Sequence, residues 1–190
     1  MAKTIFNVTV TTITPFFTGE VREEDRRIAK NNKIAFPIRK TSTGKVIIPF
    51  KGALRATLEV MLRKEGKKAC DTGEVGVKPC GHCTTCYLFG GMGKRGKVFT
   101  DFLISELNKN QIVKVATHIR LNRNDGTISD TFKGEEVIEG AVFKSKIIIE
   151  NSNNEEIELI KKALKEIEKK GLGGWTNKGY GRVFIEYTVE

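Results

Sequence analysis

The chain has 190 residues, 39% hydrophobic and 29% charged, the balance of a soluble globular domain rather than a disordered chain. No apolar run approaches the ~18 residues of a membrane helix, so a helix spanning a bilayer is excluded and no membrane partner is expected. Lys and Arg number 33 against 23 Asp and Glu, a formal net charge of +10 that points to a polyanionic partner, nucleic acid first. A Lys/Glu-rich thermophile surface with a basic bias is the other reading of that total. The charge is segregated, however: Arg39 to Lys68 holds nine basic and two acidic residues, whereas 154–170 is balanced.

Residues 4–17, TIFNVTVTTITPFF, mix β-branched and aromatic residues in alternation and read as a strand. The chain start lacks the apolar core and cleavage site of a signal peptide, so a cytoplasmic protein is expected. Residues 19–33, GEVREEDRRIAKNNK, are highly charged with no apolar face and read as an exposed loop, with a short helix as the alternative. IAFPIRKTSTGKVIIPF gives two extended pieces around the turn TSTG. A helix is predicted from about Lys51 to Glu65, because Leu54, Leu58, Met61 and Leu62 recur at helical spacing and Gly66 is a fitting stop.

Beyond a cysteine segment (70–86) and a glycine-rich turn (90–96), KVFTDFLISEL reads as a strand. VKVATHIRLN and EGAVFKSKIIIE read as two more, separated by a loop, RNDGTISDTFKGEE. A second amphipathic helix is predicted from about Asn154 to Lys170, with Ile157, Ile160, Leu164 and Ile167 on one face and Gly171 at its end. RVFIEYTV is the last strand. This order implies an α+β fold of ferredoxin-like (RRM-like) type, an antiparallel sheet with two helices on one face. No repeat or linker divides it, so residues 1–190 form a single domain.

All four cysteines fall within seventeen residues, at Cys70, Cys80, Cys83 and Cys86, spaced C-x9-C-x2-C-x2-C. Thiols grouped in this way in a cytosolic protein point to a metal rather than to disulfides. A closed tetrahedral zinc site of structural kind is the primary reading, with no catalysis assigned to it. An iron–sulfur cluster and a redox C-x2-C pair are the alternatives, and His82 could replace one thiol.

GLGGWTNKGYGRV, residues 171–183, holds five glycines together with Trp175, Lys178, Tyr180 and Arg182. Bare backbone beside cations and aromatic rings can cradle a sugar–phosphate chain and stack a base. A tight turn whose Trp175 packs on the protein explains the same residues. FGGMGKRGKV, residues 89–98, is a second glycine-rich basic loop carrying Lys94 and Arg95, and it fits neither nucleotide-binding glycine pattern. Catalytic patterns are poorly represented: His118 reads as a strand residue, and Asp25, Asp101, Asp125 and Asp130 are scattered.

Several segments together resemble the RAMP superfamily, the ferredoxin-like RNA-binding subunits of CRISPR effector complexes. GLGGWTNKGYGRV resembles the family's glycine-rich loop, and TSTGKVIIPFKGALRATLE its passage into the first helix. CYLFGGMGKRGKVFTDF resembles its C-x-x-C-x-L-F-G segment, and LNRNDGTISDTFKGEEVIEGAVF the loop and strand of its backbone subunits. The segments follow the family's order from Phe36 onward, in the manner of the repeating backbone subunits of type III complexes and their derivatives.

The resemblance implies copies of the chain stacked head to tail along a CRISPR RNA that pairs with a target RNA or DNA. It implies a thumb-like hairpin within 121–138, while the cysteine segment and the glycine-rich turn read together as a zinc-binding, glycine-rich insertion at 67–96. Lys51 and Arg55 would face the guide's phosphates, and the loop from Lys178 to Arg182 would lie against the guide backbone. Two positions depart from the family. Phe50 stands where a Gly is usual, and Ala35 stands where RNA-cleaving members carry an Asp two residues before the Pro that matches Pro37. The expectation is therefore a subunit with no nuclease activity of its own, working beside other effector subunits and a separate nuclease. Asp25 could restore a metal-dependent RNA endonuclease if its loop folds over the target. A stand-alone zinc-containing RNA-binding or RNA-processing module is the third reading.

Overall fold

The computed structural model describes residues 3–18, 34–74 and 76–190, so the charged segment 19–33, with Asp25, lies outside the described residues. The central strand is β1, Lys3–Thr12, in which Phe6, Val8, Val10 and Thr12 alternate inward. It pairs antiparallel on one side with β8, Val142–Glu150, and on the other with β9, Val183–Val189. The sheet continues outward from β8 to β5, Leu103–Asn108, and then to β3, Lys45–Ile48, while the short β4, Val98–Thr100, pairs with the far end of β8.

Two long helices cover one face. Helix α1, Lys51–Lys64, buries Leu54, Leu58 and Leu62 at i, i+4 and i+8. It ends at Gly66, whose φ of 72° lets Lys67 N–H reach back to the Leu62 carbonyl at 2.9 Å. Helix α4, Asn154–Lys170, starts with a reciprocal cap between Asn153 and Glu156 and buries Ile160, Ala163, Leu164 and Ile167. Both helices share one core with Phe6, Val8, Val10, Phe143, Ile147 and Ile149. Truncating a fully buried member such as Leu58 to Ala would cost about 2–5 kcal/mol. The opposite face of the sheet stays partly open and presents Phe184, Lys144 and Lys146.

The chain order β1, α1, β5, β8, α4, β9, with spatial order β5-β8-β1-β9, is a mixed α+β architecture built on an antiparallel sheet. Both long helices lie where the apolar spacing puts them. KVFTDFLISEL differs from expectation: Asp101 and Phe102 break it into β4 and β5, both of which pair with β8. The first strand ends at Thr12 rather than at residue 17, and Phe16 instead exchanges hydrogen bonds with Val137 at 2.9 and 3.1 Å.

A second, smaller sheet has the order β2-β7-β6. Here β2 is Ile34–Phe36, β6 is Val113–Leu121 and β7 is Ile128–Val137. The one-turn helix α3, Lys109–Ile112, leads into β6. Most of the segment read from sequence as a loop, RNDGTISDTFKGEE, is therefore strand β7. Its polar, glycine-containing run has no apolar alternation, and it becomes a strand through pairing with β6 from Val113↔Val137 to Leu121↔Ile128. The hairpin thus begins at Val113, eight residues before the thumb boundary expected at 121. Its tip is ordered by Asp125, which accepts from Thr127 N–H at 2.9 Å and from the Thr127 hydroxyl at 2.7 Å. These two bonds hold the Asp125 carboxyl below the usual range.

Candidate metal centre and nucleic-acid interface

Cys70 ends the segment after α1, and Cys86 lies in the short helix α2, Thr84–Phe89, which begins one residue after Cys83. This turn of chain brings the sulfurs of Cys70, Cys80, Cys83 and Cys86 to within 4.8 Å of one another. The Cys70 sulfur lies 3.6 Å from those of Cys83 and Cys86, and Cys80 Sγ lies 3.9 Å from Cys86 Sγ. All four are free thiols. A tetrahedron of sulfurs bonded at ~2.3 Å has edges of about 3.8 Å, so the spacing suits a four-coordinate ion and not a disulfide. His82 stands apart, its ring nitrogen 2.9 Å from the Cys80 carbonyl.

The donor set fits the same chemistry. Cys80 N–H donates to Cys70 Sγ at 3.2 Å, and the Thr85 hydroxyl lies 3.0 Å from Cys83 Sγ. Burial opposes ionisation of Cys83, but hydrogen bonds led by the Thr85 hydroxyl outweigh it and bring the thiol to about 6. Burial pushes the Cys70 thiol up to about 12. A cation among the four sulfurs would favour their thiolate forms, Cys70 included.

A charged stripe of α1 faces this segment. Arg55, Glu59 and Arg63 recur at i, i+4 and i+8, so they share one side of the helix. Arg55 donates to Glu59 Oε1 at 2.8 Å, to the Gly90 carbonyl at 2.7 Å and to Cys86 Sγ at 3.4 Å. Glu59, 1% exposed, also accepts from the Thr72 N–H and hydroxyl at 2.9 and 2.8 Å. Arg63 donates to the Cys70 carbonyl and pairs with Asp71 at 3.0 Å. Arg55, expected at the guide's phosphates, is therefore turned into the protein beside the cysteines.

Lys51 and Arg95 do converge at the surface. Lys51 opens α1, where Phe50 provides no side-chain cap and the first turn has no acidic residue. Its Nζ lies 6.0 Å from the Phe99 ring centroid, and the Arg95 guanidinium lies 4.8 Å from the same ring. Burial, and then the charge of Arg55, holds the Lys51 ammonium below the usual lysine range. Lys94 is exposed in the adjoining glycine turn. Apart from Gly93, which faces open space, the glycines of that turn serve the fold: a Cβ on Gly96 would lie 2.4 Å from Gly90 N, and one on Gly91 2.8 Å from Gly81 Cα.

The C-terminal glycine loop has a similar internal cause. A Cβ on Gly173 would meet the Phe17 carbonyl at 2.3 Å, and one on Gly181 the Leu172 carbonyl at 2.0 Å. Both glycines have positive φ, and the loop closes through Leu172 N–H to Gly181 O at 2.7 Å and Gly181 N–H to Pro15 O at 2.9 Å. The space cleared at these positions is filled by the chain's own backbone. Gly179 alone among the positive-φ glycines of this loop faces open space.

Four rings gather above the loop. Trp175 meets Phe17 and His118 edge-on at 4.4 and 4.9 Å, and Tyr180 stacks on Phe17 at 5.0 Å. Lys178 Nζ lies over Trp175 at 4.6 Å. His118, on β6, lies 3.1 Å from the carboxylate of Glu136, which is buried on β7. Burial, reinforced by the charge of Glu136, pushes the Tyr180 phenol up. Trp175 therefore packs on the protein, and the cluster ties the glycine loop to the hairpin's base. Phe17, His118 and Glu136 carried no sequence signal for this grouping, because each comes from a segment distant in sequence from the glycine loop. Arg182 is exposed where the loop leads into β9.

The two cationic groups sit at opposite ends of the sheet. Phe99 pairs with Ile148, while Phe184 and Val142 both pair with Thr11, placing the groups about 20 Å apart along β8. Among the described residues, no helix is long and apolar enough to cross a membrane.

Comparison with known proteins agrees with this architecture. The fold is similar to that of a chain in the cryo-EM structure of the Type III-B Cmr-beta bound to cognate target RNA. The TM-score is 0.71 at 16% identity, covering 98% of this chain and 60% of that one. The sequence is 30% identical over 168 residues to the CRISPR system Cms endoribonuclease Csm3 of Methanocaldococcus jannaschii, covering 77% of this chain and 65% of the relative. The chain thus spans less than two thirds of the length of either protein. Residues 9–184 match the superfamily profile as one continuous stretch, and the chain belongs to the RAMP superfamily.

Proposed function

We propose that this chain is a guide-binding backbone subunit of a type III or type III-derived CRISPR effector complex. The observation that carries the reading is the superfamily match from residue 9 to residue 184, on a chain of net charge +10. In this reading the core is ferredoxin-like, copies stack head to tail along a CRISPR RNA, and the guide pairs with target RNA in a cytoplasmic ribonucleoprotein. Lys51, Lys94 and Arg95 at one end of the sheet, and Lys178 and Arg182 at the other, hold phosphates. Tyr180 and Trp175 shape the second site rather than stack freely. The β6–β7 hairpin acts as the thumb, with Val115, Ile119, Leu121 and Ile128 between 53 and 61% exposed on it.

The cysteines would hold zinc, which supplies a rigid cross-link of residues 70–86 and no reaction step. The chain's own residues hold the thiols in place and present Lys94 and Arg95 from the adjoining turn. Target cleavage would fall to a separate subunit, because Ala35 offers no carboxylate where cleaving members have one. The endoribonuclease name of the Methanocaldococcus relative favours a second reading, in which Asp25 supports metal-dependent cleavage by this chain.

The test is the purified complex. A multimer with one RNA of defined length supports a filament subunit, whereas a monomer without RNA supports a solitary module. Incubation with complementary RNA and Mg²⁺ or Mn²⁺ then separates the two filament readings, since regularly spaced cuts that vanish in Asp25→Ala would establish the second.

A further inference from the structure

We infer that Arg55 is a positioning residue of the metal centre, the cation that offsets the charge of the metal-bound thiolates, and not a phosphate ligand. This rests on the metal reading of the cysteines given above. Four thiolates around one divalent ion leave two net negative charges. Cys70, Cys83 and Cys86 are buried while Cys80 opens to solvent, so most of that charge lies away from water, where it is costly unless paired.

Arg55 supplies the pairing. One terminal nitrogen lies 3.4 Å from the sulfur of Cys86, a residue that is fully buried. The other terminal nitrogen donates to the Gly90 carbonyl at 2.7 Å, and Nε donates to Glu59 at 2.8 Å. All three nitrogens of the fork are thus engaged inward. Glu59 is itself fixed by the Thr72 N–H and hydroxyl, two residues beyond Cys70. The chain of contacts runs from one end of the cysteine segment through Thr72, Glu59 and Arg55 to its other end at Cys86 and Gly90. A planar guanidinium can meet a carboxylate, a carbonyl and a sulfur at once, which a lysine ammonium on a flexible stem does not do in fixed geometry. Groups that hydrogen-bond to metal ligands in this way tune affinity.

Arg63 provides the contrast. It ties the same segment to α1 about two turns further on, but its partners are the Cys70 carbonyl and the Asp71 carboxylate rather than a sulfur.

The test is Co²⁺ loading of the whole chain, read by its absorption bands and by competition with Zn²⁺. Arg55→Met should weaken Co²⁺ binding about 10–100-fold and shift the sulfur-to-cobalt charge-transfer band, while the tetrahedral bands persist because the four cysteines remain. Arg63→Met should leave the charge-transfer band in place. If Arg55→Met does not fold, Arg55→Lys, which keeps the charge but loses the fork, should still bind more weakly with a shifted band. An unchanged affinity and band in either Arg55 variant would overturn the inference, as would Arg63→Met reproducing the Arg55 shift. Failure of the unsubstituted chain to take up Co²⁺ or Zn²⁺ would remove the metal reading itself, and the inference with it, while leaving the RNA-binding proposal standing.

Discussion

Tyr180 lies flat on Phe17, with ring centroids 5.0 Å apart and planes 10° from parallel. That stack joins the glycine loop to the segment that follows β1, and through Glu136 and His118 it reaches the hairpin base. A substitution in the stack is therefore expected to affect the loop and the hairpin together.

Phe17→Ala should cost about 3–5 kcal/mol, because the ring is almost fully buried and the loop cannot close into its place. Urea denaturation measures the loss. Hydrogen exchange should show faster opening at residues 171–181 and at the hairpin base, but not at the buried face of α4.

The phenol of Tyr180 predicts a pH dependence of definite sign. Burial and Glu136 raise its pKa above the ordinary 10.0, so the fold favours the neutral form. Its contribution is complete below the unfolded value and is lost as pH rises through the folded one. Stability should fall on going above pH 10, and Tyr180→Phe should fall less steeply across that window. Equal slopes in paired denaturation series would argue against a raised pKa at Tyr180.

Two glycines of the C-terminal loop separate strain from collision. Gly179 and Gly181 have φ of 87° and 72°, but only Gly181 has an atom, the Leu172 carbonyl, 2.0 Å from a built Cβ. Gly179→Ala should cost about 1 kcal/mol, from the left-handed backbone alone. Gly181→Ala should cost several times more or prevent folding. Comparable melting temperatures for the two variants would mean that the loop shifts to accept the side chain.

Much of the scaffold was legible because its signals are local. Helix α4 announces itself by the spacing of Ile160, Leu164 and Ile167 between Asn153 and Gly171, and the metal group by cysteines sixteen residues apart at most. What stayed hidden depends on distant pairing. ISDTFKGEEV has no strand pattern and takes its form from β6. Phe17, His118 and Glu136 meet Trp175 and Tyr180 only once the fold is made. Arg55 reads as one more cation of a basic helix until Glu59, Gly90 and Cys86 are found around it.

The placement of the exposed cations predicts how RNA binding should respond to salt. Lys51 and Arg182 sit at opposite ends of β8, and each would neutralise a different phosphate of one strand. Each contact releases condensed counterions, which contributes about −0.7 to the slope of log affinity against log salt for a single strand. Lys51→Ala and Arg182→Ala should each flatten the slope by about that amount and weaken binding evenly across sequences. The double variant should sum the two losses, since the sites are about 20 Å apart and share no partner. Fluorescence anisotropy with a single-stranded RNA at several salt concentrations measures it. A slope that neither variant changes would remove both residues from the RNA path, and a double loss smaller than the sum would mean that the two contacts are not independent.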